Sequence, residues 1–183
     1  MEYLIVIGVA VVLFVTVLLV RDAMKKSRDR RTIHDRIHST ADRYAFLINR
    51  GFEVEDTNYY DLNKSVERRP PYVLGNVLHC QTGTDCGLCG TGFACQSCPV
   101  RFVIKNAFLQ QHDVEGVEAT MQLYDAEMNV QNVDVRLNGK LVYLNYQPHM
   151  MLEVEDVTAP KSDEKPDLNN HHNENHDVEE TNE

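Results

Sequence analysis

Outside the nineteen residues from Cys80 to Cys98, the 183-residue chain has no cysteine. The five it does have cannot staple distant parts of a fold, so they mark one local site. A positive charge balance is also missing: 18 Lys and Arg stand against 28 Asp and Glu, a formal −10, which argues against nucleic acid as a partner. The length excludes two large domains and leaves room for one of about 100 to 150 residues with appendages. There is no Gly-rich phosphate loop, no Ser/His/Asp arrangement and no pair of acids in an apolar setting, so the expectation is a non-enzyme. No Cys-x-x-Cys-His haem attachment motif occurs either.

What is present is unevenly placed. Residues 21 to 50 carry nine Lys/Arg and four Asp/Glu, whereas 161 to 183 carry two Lys and eight acids. Tyr3 to Val20 is a run of 18 residues without a charge, which as a helix would rise about 27 Å and nearly match a bilayer core. Glu2 precedes the run, and Arg21, Asp22, Ala23, Met24, Lys25 and Lys26 follow it, so neither the basic start nor the small-x-small end of a cleaved signal is there. The expectation is an uncleaved transmembrane helix at 3–20 in contact with membrane lipid. Six Lys/Arg between Arg21 and Arg31 then place the N-terminus outside and the soluble domain in the cytoplasm, as a single-pass protein. A reducing compartment would favour thiol or metal-bound cysteines over disulfides.

Beyond the basic flank, a juxtamembrane helix is expected over 21–41. Ile33, Ile37, Ala41 and Tyr44 recur at helical spacing, a stripe that either pairs with a twin as a homodimer or docks on the domain. Ala45 to Ile48 and Phe52 to Asp56 read as strands about a turn in which Gly51 takes a positive φ. Asn58 to Leu62 is short helix or irregular structure, and Arg69-Pro70-Pro71 breaks the chain before the apolar segment Tyr72 to Leu78. Pro99 opens a helix reaching about Gln111, with Val100, Val103, Ile104, Ala107 and Phe108 on one face. Three strands follow, marked by alternation at Val117, Ala119, Met121 and Leu123, at Val133, Val135 and Leu137, and at Met150, Leu152 and Val154. Asn138-Gly139 is a local hairpin signal in conflict with a continuous middle strand. The tail at 159–183, with Pro160, Pro166, many acids and His171, His172 and His176, cannot bury a core and is expected to be disordered.

Over about residues 42 to 158 this order resembles a PAS domain. The resemblance rests on Phe52 to Leu62 with its Asn58 exit, on Leu74-Gly-Asn-Val-Leu78, and on Val154-Glu-Asp-Val-Thr158. Cys80 and Cys89-Gly-Thr-Gly-Phe-Ala-Cys95-Gln-Ser-Cys98 are similar to a bacterial PAS subgroup with a Cys followed by Cys-Gly-Thr-Ser-x-x-Cys-x-x-Cys; here Gly92 replaces the Ser and Cys86 is extra. The resemblance implies an α+β fold, a five-stranded antiparallel sheet with helices between strands two and three, here preceded by the transmembrane helix. It also implies one long strand from Val133 to Tyr143, with Asn138-Gly139 as a bulge and the turn at Asn145 to Pro148.

The cysteines are spaced Cys80-x5-Cys86-x2-Cys89-x5-Cys95-x2-Cys98. Each Cys-x2-Cys knuckle can bring two sulfurs to one ion, and both zinc and an iron-sulfur cluster take four thiolates. The short gap between knuckles and the glycines at 83, 87, 90 and 92 tilt the choice slightly toward the cluster. The subgroup selects Cys80, Cys89, Cys95 and Cys98, leaving Cys86 spare or as a replacement ligand. A metal-free thiol sensor and simple packed cysteines stay open. His79 and His112, lone loop histidines, are expected to be solvated. The function expected is a membrane-tethered sensory and signal-transduction module that responds to redox state, metal or a small ligand. The 25 residues after Thr158 are too few for an output domain, so a separate signalling output protein is expected. The alternatives are a zinc-stabilised adaptor and an iron-sulfur electron carrier.

Overall fold

Tyr44–Ile48 is an unbroken apolar pentapeptide, and a run without alternation suits a strand covered on both faces. In the computed structural model, which describes residues 2–64, 66 and 68–157 (side chains at 2, 4–6 and 9 excepted), this segment is β1. It lies between β2 (Val54–Thr57) and β5 (Gln147–Asp156). With β4 (Val130–Leu144) and β3 (Val114–Tyr124) they form one antiparallel sheet in the order β2-β1-β5-β4-β3. Between β2 and β3 the chain makes α2 (Tyr59–Leu62), α3 (Leu74–Val77), α4 (Gln81–Asp85), a 3-10 turn (Phe93–Gln96) and α5 (Pro99–Gln110). The tail at 159–183 and its histidines lie outside the described residues.

Both faces of the sheet are covered. On one, Phe46 and Ile48 of β1 and Met150 and Leu152 of β5 pack with Ile104 and Phe108 of α5, whose first residue is the expected Pro99. On the other, Ala45, Leu47, Leu144 and Met151 close over Ile37 near the end of α1 (Glu2–Ser39), with Ile33 half-buried beside them. The Ile33/Ile37 stripe is therefore used within the chain. It stops there, because α1 ends at Ser39, Ala41 is exposed and Tyr44 belongs to β1.

Asn58 ties the end of α1 to the sheet. Only 2% exposed, its Oδ1 accepts from the Ala45 N–H at 2.7 Å, and its Nδ2 donates to the carbonyls of Thr40 at 2.8 Å and Arg43 at 3.0 Å. A buried amide that satisfies three backbone groups fixes the crossing from helix to strand.

Several expectations are corrected. Among the described residues, no helix is long and apolar enough to cross a membrane. The transmembrane helix at 3–20 is withdrawn, and with it the single-pass membrane localisation, the outside N-terminus, the cytoplasmic assignment that followed from it and the lipid contact. In the first turn the positive φ belongs to Phe52, at 65°, and not to Gly51. Asn138-Gly139 lies inside the continuous β4, but the bulge is on the facing strand, where the register shifts between Val114 and Val117 and Gly116 takes φ 59°. Gly139 is required for close packing, since a Cβ there would meet Met150 Sδ at 2.8 Å. The hairpin itself turns at Asn145 and Tyr146, both at positive φ, between the paired Leu144 and Gln147.

Ile37, fully buried, holds α1 on the sheet. Ile37→Ala is expected to lower the unfolding free energy in urea by about 2–4 kcal/mol. A change below half a kcal/mol would show that the helix is not docked as described.

Candidate functional site

The cysteine segment folds as a cap over one end of the sheet. Cys80 precedes α4, its N–H donating to the Gly75 carbonyl at 2.7 Å, and it bridges to Leu123 at the end of β3. Two further bonds secure this attachment: the Tyr124 N–H donates to the His79 carbonyl at 2.9 Å, and the Tyr124 hydroxyl to Asp85 at 2.8 Å. Cys95 sits on the 3-10 turn, 8% exposed, its Sγ accepting from the Gly90 N–H at 3.3 Å. Cys98 immediately precedes α5, and its carbonyl accepts the Phe102 N–H at 3.0 Å.

Cys89 has no regular element to hold it. Its N–H donates to Asn76 Oδ1 at 2.7 Å, while Asn76 Nδ2 donates to the carbonyls of Gly83 at 3.1 Å and Gly87 at 3.3 Å. One side chain on α3 thus gathers three points of the loop. The space is tight: a Cβ on Gly75 would stand 2.5 Å from Cys89 Sγ, and one on Gly92 would stand 2.5 Å from Thr82 Cγ2 and 3.0 Å from Cys86 Sγ. Glycine at 92 makes room first for Thr82 and then for Cys86.

Cys80, Cys89, Cys95 and Cys98 all line one cavity of about 380 Å³, walled on the sheet side by Thr120, Met121 and Gln122. Cys86, the fifth sulfur named from spacing, is exposed and outside that lining. All five are free thiols. They do not converge as tightly as a single ion demands: among the described residues, the one trio of His, Cys, Asp or Glu with ligand atoms all within 4.8 Å is His34, His38 and Asp56, and it contains no sulfur. His79 and His112 do not line the cavity; the backbone of His79 is used against Tyr124, and His112 is exposed with Nδ1 2.7 Å from the Asp113 carbonyl.

Two features set the electrostatics. Burial, above all, pushes the Cys80 thiol above its ordinary range; the backbone N–H groups of Gly83 and Thr82 oppose this, and the sulfurs of Cys89 and Cys98 reinforce it. Arg101, on α5, brings Nη1 to 3.7 Å from Cys89 Sγ, and its guanidinium lies 4.0 Å over the Phe52 ring. The left-handed backbone at Phe52 turns that ring into the cavity wall. Sequence spacing did not point to Arg101, Phe52 or Asn76. The only local hint of Asn76 was its place beside Gly75 in an apolar segment.

No family model matches the sequence, and no curated protein matches it. Among solved structures it is similar to a chain of the crystal structure of the E. coli DhaR(N)-DhaL complex, an assembly of two partner proteins, at 14% identity and a TM-score of 0.38. The match covers 78% of this chain but spans only 41% of that one. An overlap this loose carries no argument about fold or function.

Removing the Asn76 amide should release the Cys89 loop. In Asn76→Ala, alkylation of Cys89 by a maleimide, read by peptide mass spectrometry, is expected to quicken about tenfold, with exposed Cys86 unchanged as the internal reference. Equal Cys89 rates in both proteins would mean that the loop is held by something else.

Proposed function

We propose that this chain is a PAS-like sensory and signal-transduction protein whose four-thiol cavity holds an iron-sulfur cluster, and that it reports to a separate output protein. The observation that carries the reading is the gathering of Cys80, Cys89, Cys95 and Cys98 around one cavity from four different local structures. A site assembled this way responds to its occupant: loss or oxidation of the bound group frees several segments at once.

The donor set fits a group wider than one ion. Four thiolates on a tetrahedral zinc at about 2.3 Å stand only about 3.8 Å from one another. Here Cys80, Cys89, Cys95 and Cys98 line a cavity of about 380 Å³, which has room for a multi-atom core. Burial raises the half-buried Cys80 thiol, and a metal centre would favour its thiolate, as Arg101 stands ready to do beside Cys89. When bound, a cluster would supply one-electron redox chemistry. The chain's own part is to hold the thiolates, shield them beneath α5 and connect them to β3 through the Cys80–Leu123 bridge and the Tyr124 bonds. β3 is an edge strand, so a change in the cap reaches a surface open to a partner.

Anaerobic purification of the full chain, with visible absorption and analysis for iron, sulfide and zinc, tests the reading. A brown protein with iron and acid-labile sulfide in similar amounts is expected. Both should be lost when Cys89, Cys95 or Cys98 is replaced by Ser, and kept in Cys86→Ser. A colourless protein with stoichiometric zinc would replace the sensor reading with the adaptor, and a protein binding neither metal would leave the thiols alone as the reactive groups.

A further inference from the structure

On the face of the sheet opposite α5, His34 and His38 stand one turn apart on α1, so both rings point to the same side. Their centroids are 4.2 Å apart. β2 presents Asp56 to both: Oδ2 is 2.7 Å from His34 Nδ1, and Oδ1 is 3.3 Å from His38 Nε2. From α2, Asp61 Oδ2 reaches His38 Nδ1 at 2.7 Å. One ligand atom from each of His34, His38 and Asp56 lies within 4.8 Å of the other two.

The backbone explains how β2 delivers this group. Leu47 pairs with Asp56 and Ile48 with Val54, so Glu55 is an extra residue, a bulge. The bulge lets two successive residues engage α1. Glu55 takes Arg30 at 3.1 Å through one oxygen and His149 at 2.9 Å through the other, while Asp56 takes the two histidines. Arg30, on the same helix, is thereby neutralised, and Asp35, Asp56 and Asp61 leave the surroundings of His34 negative. Burial works against the Asp56 charge, but the hydrogen bonds from His34 and His38 hold its carboxyl below the ordinary range.

We propose that His34, His38 and Asp56 form a zinc-binding site, with water at the fourth position and Asp61 holding the His38 ring through its Nδ1, that pins α1 to β2 when occupied. Two imidazole nitrogens and a carboxylate oxygen are a donor set for zinc or a similar divalent transition ion, and two histidines four apart on one helix face can reach one ion together. The side chains remain accessible from solvent, 55% exposed at His34 and 30% at His38, while Ile37 between them fixes the helix to the sheet. The site is independent of the thiol cavity in both residues and chemistry.

Titration of the full chain with cobalt(II) and with zinc separates the two. At this site cobalt is expected to show visible d–d bands without the near-ultraviolet bands of sulfur ligation, and zinc is expected to raise the unfolding temperature. His34→Gln, at an exposed position, and His38→Gln should each weaken the apparent cobalt affinity at least tenfold and remove the thermal shift. Replacing His171, His172 and His176 by Ala should leave both intact. Affinity unchanged in His34→Gln, cobalt bound through sulfur alone, or binding lost with the tail histidines would each overturn the proposal.

Discussion

The Asn76 amide is the constraint on which the cysteine site depends. The segment from Gly87 to Gly92 has no helix or strand to supply hydrogen bonds, and a loop of that composition left to itself gains nothing from staying folded. Asn76 replaces the missing ladder with one donor-acceptor group that binds Cys89 and two glycine carbonyls. The glycines around it serve that contact: Gly75 lets Cys89 Sγ approach α3 more closely than a Cβ would permit, and Gly83 packs tightly against the Cys89 Cβ. The amide thus holds Cys89 against the cavity that the other three sulfurs reach from their own elements.

A second amide, that of the buried Asn58, performs the corresponding task at the start of the insert. It sits where β2 gives way to α2 and binds the segment that joins α1 to β1. Between them, the two asparagines mark the start of the helical insert and the start of the cysteine cap. Each satisfies three backbone groups that would otherwise lack partners in a region with little regular structure, which is where a single amide contributes most.

Much of this was legible in the sequence, for reasons that can be stated residue by residue. Alternation at Val117, Ala119, Met121 and Leu123 marked β3, and Pro99 marked the start of α5, because these signals are local. Spacing left all five cysteines as candidates; the set Cys80, Cys89, Cys95 and Cys98 is what the subgroup resemblance implies, and neither says how far apart the sulfurs stop. The hairpin signal at Asn138-Gly139 misled: the ladder of β4 with both neighbours outweighs a local turn preference, and Gly139 is needed where Met150 crosses it. The apolar run after Tyr3 misled too: among the described residues no helix is long and apolar enough to cross a membrane. The meeting of His34 and His38 with Asp56 could not have been read at all. It depends on where α1 lands on β2, which the Ile33/Ile37 stripe does not specify, and on a bulge at Glu55, which leaves no periodic trace.

That bulge also fixes the relation between the two sites. Phe52, under Arg101 at the edge of the thiol cavity, and Asp56, between the two histidines, lie four residues apart on one hairpin arm, roughly 13 Å of extended chain. The arm is not a free tether. Phe52 is held by its left-handed backbone and the Asn49 turn, Val54 by the core, and Asp56 by α1. A regular strand would alternate its side chains and point only one of Glu55 and Asp56 at the helix. With the extra residue, the arm serves the α5 face at its start and the α1 face at its end, so the cysteine cavity and the histidine cluster lie on opposite sides of the sheet, joined by one short, anchored segment.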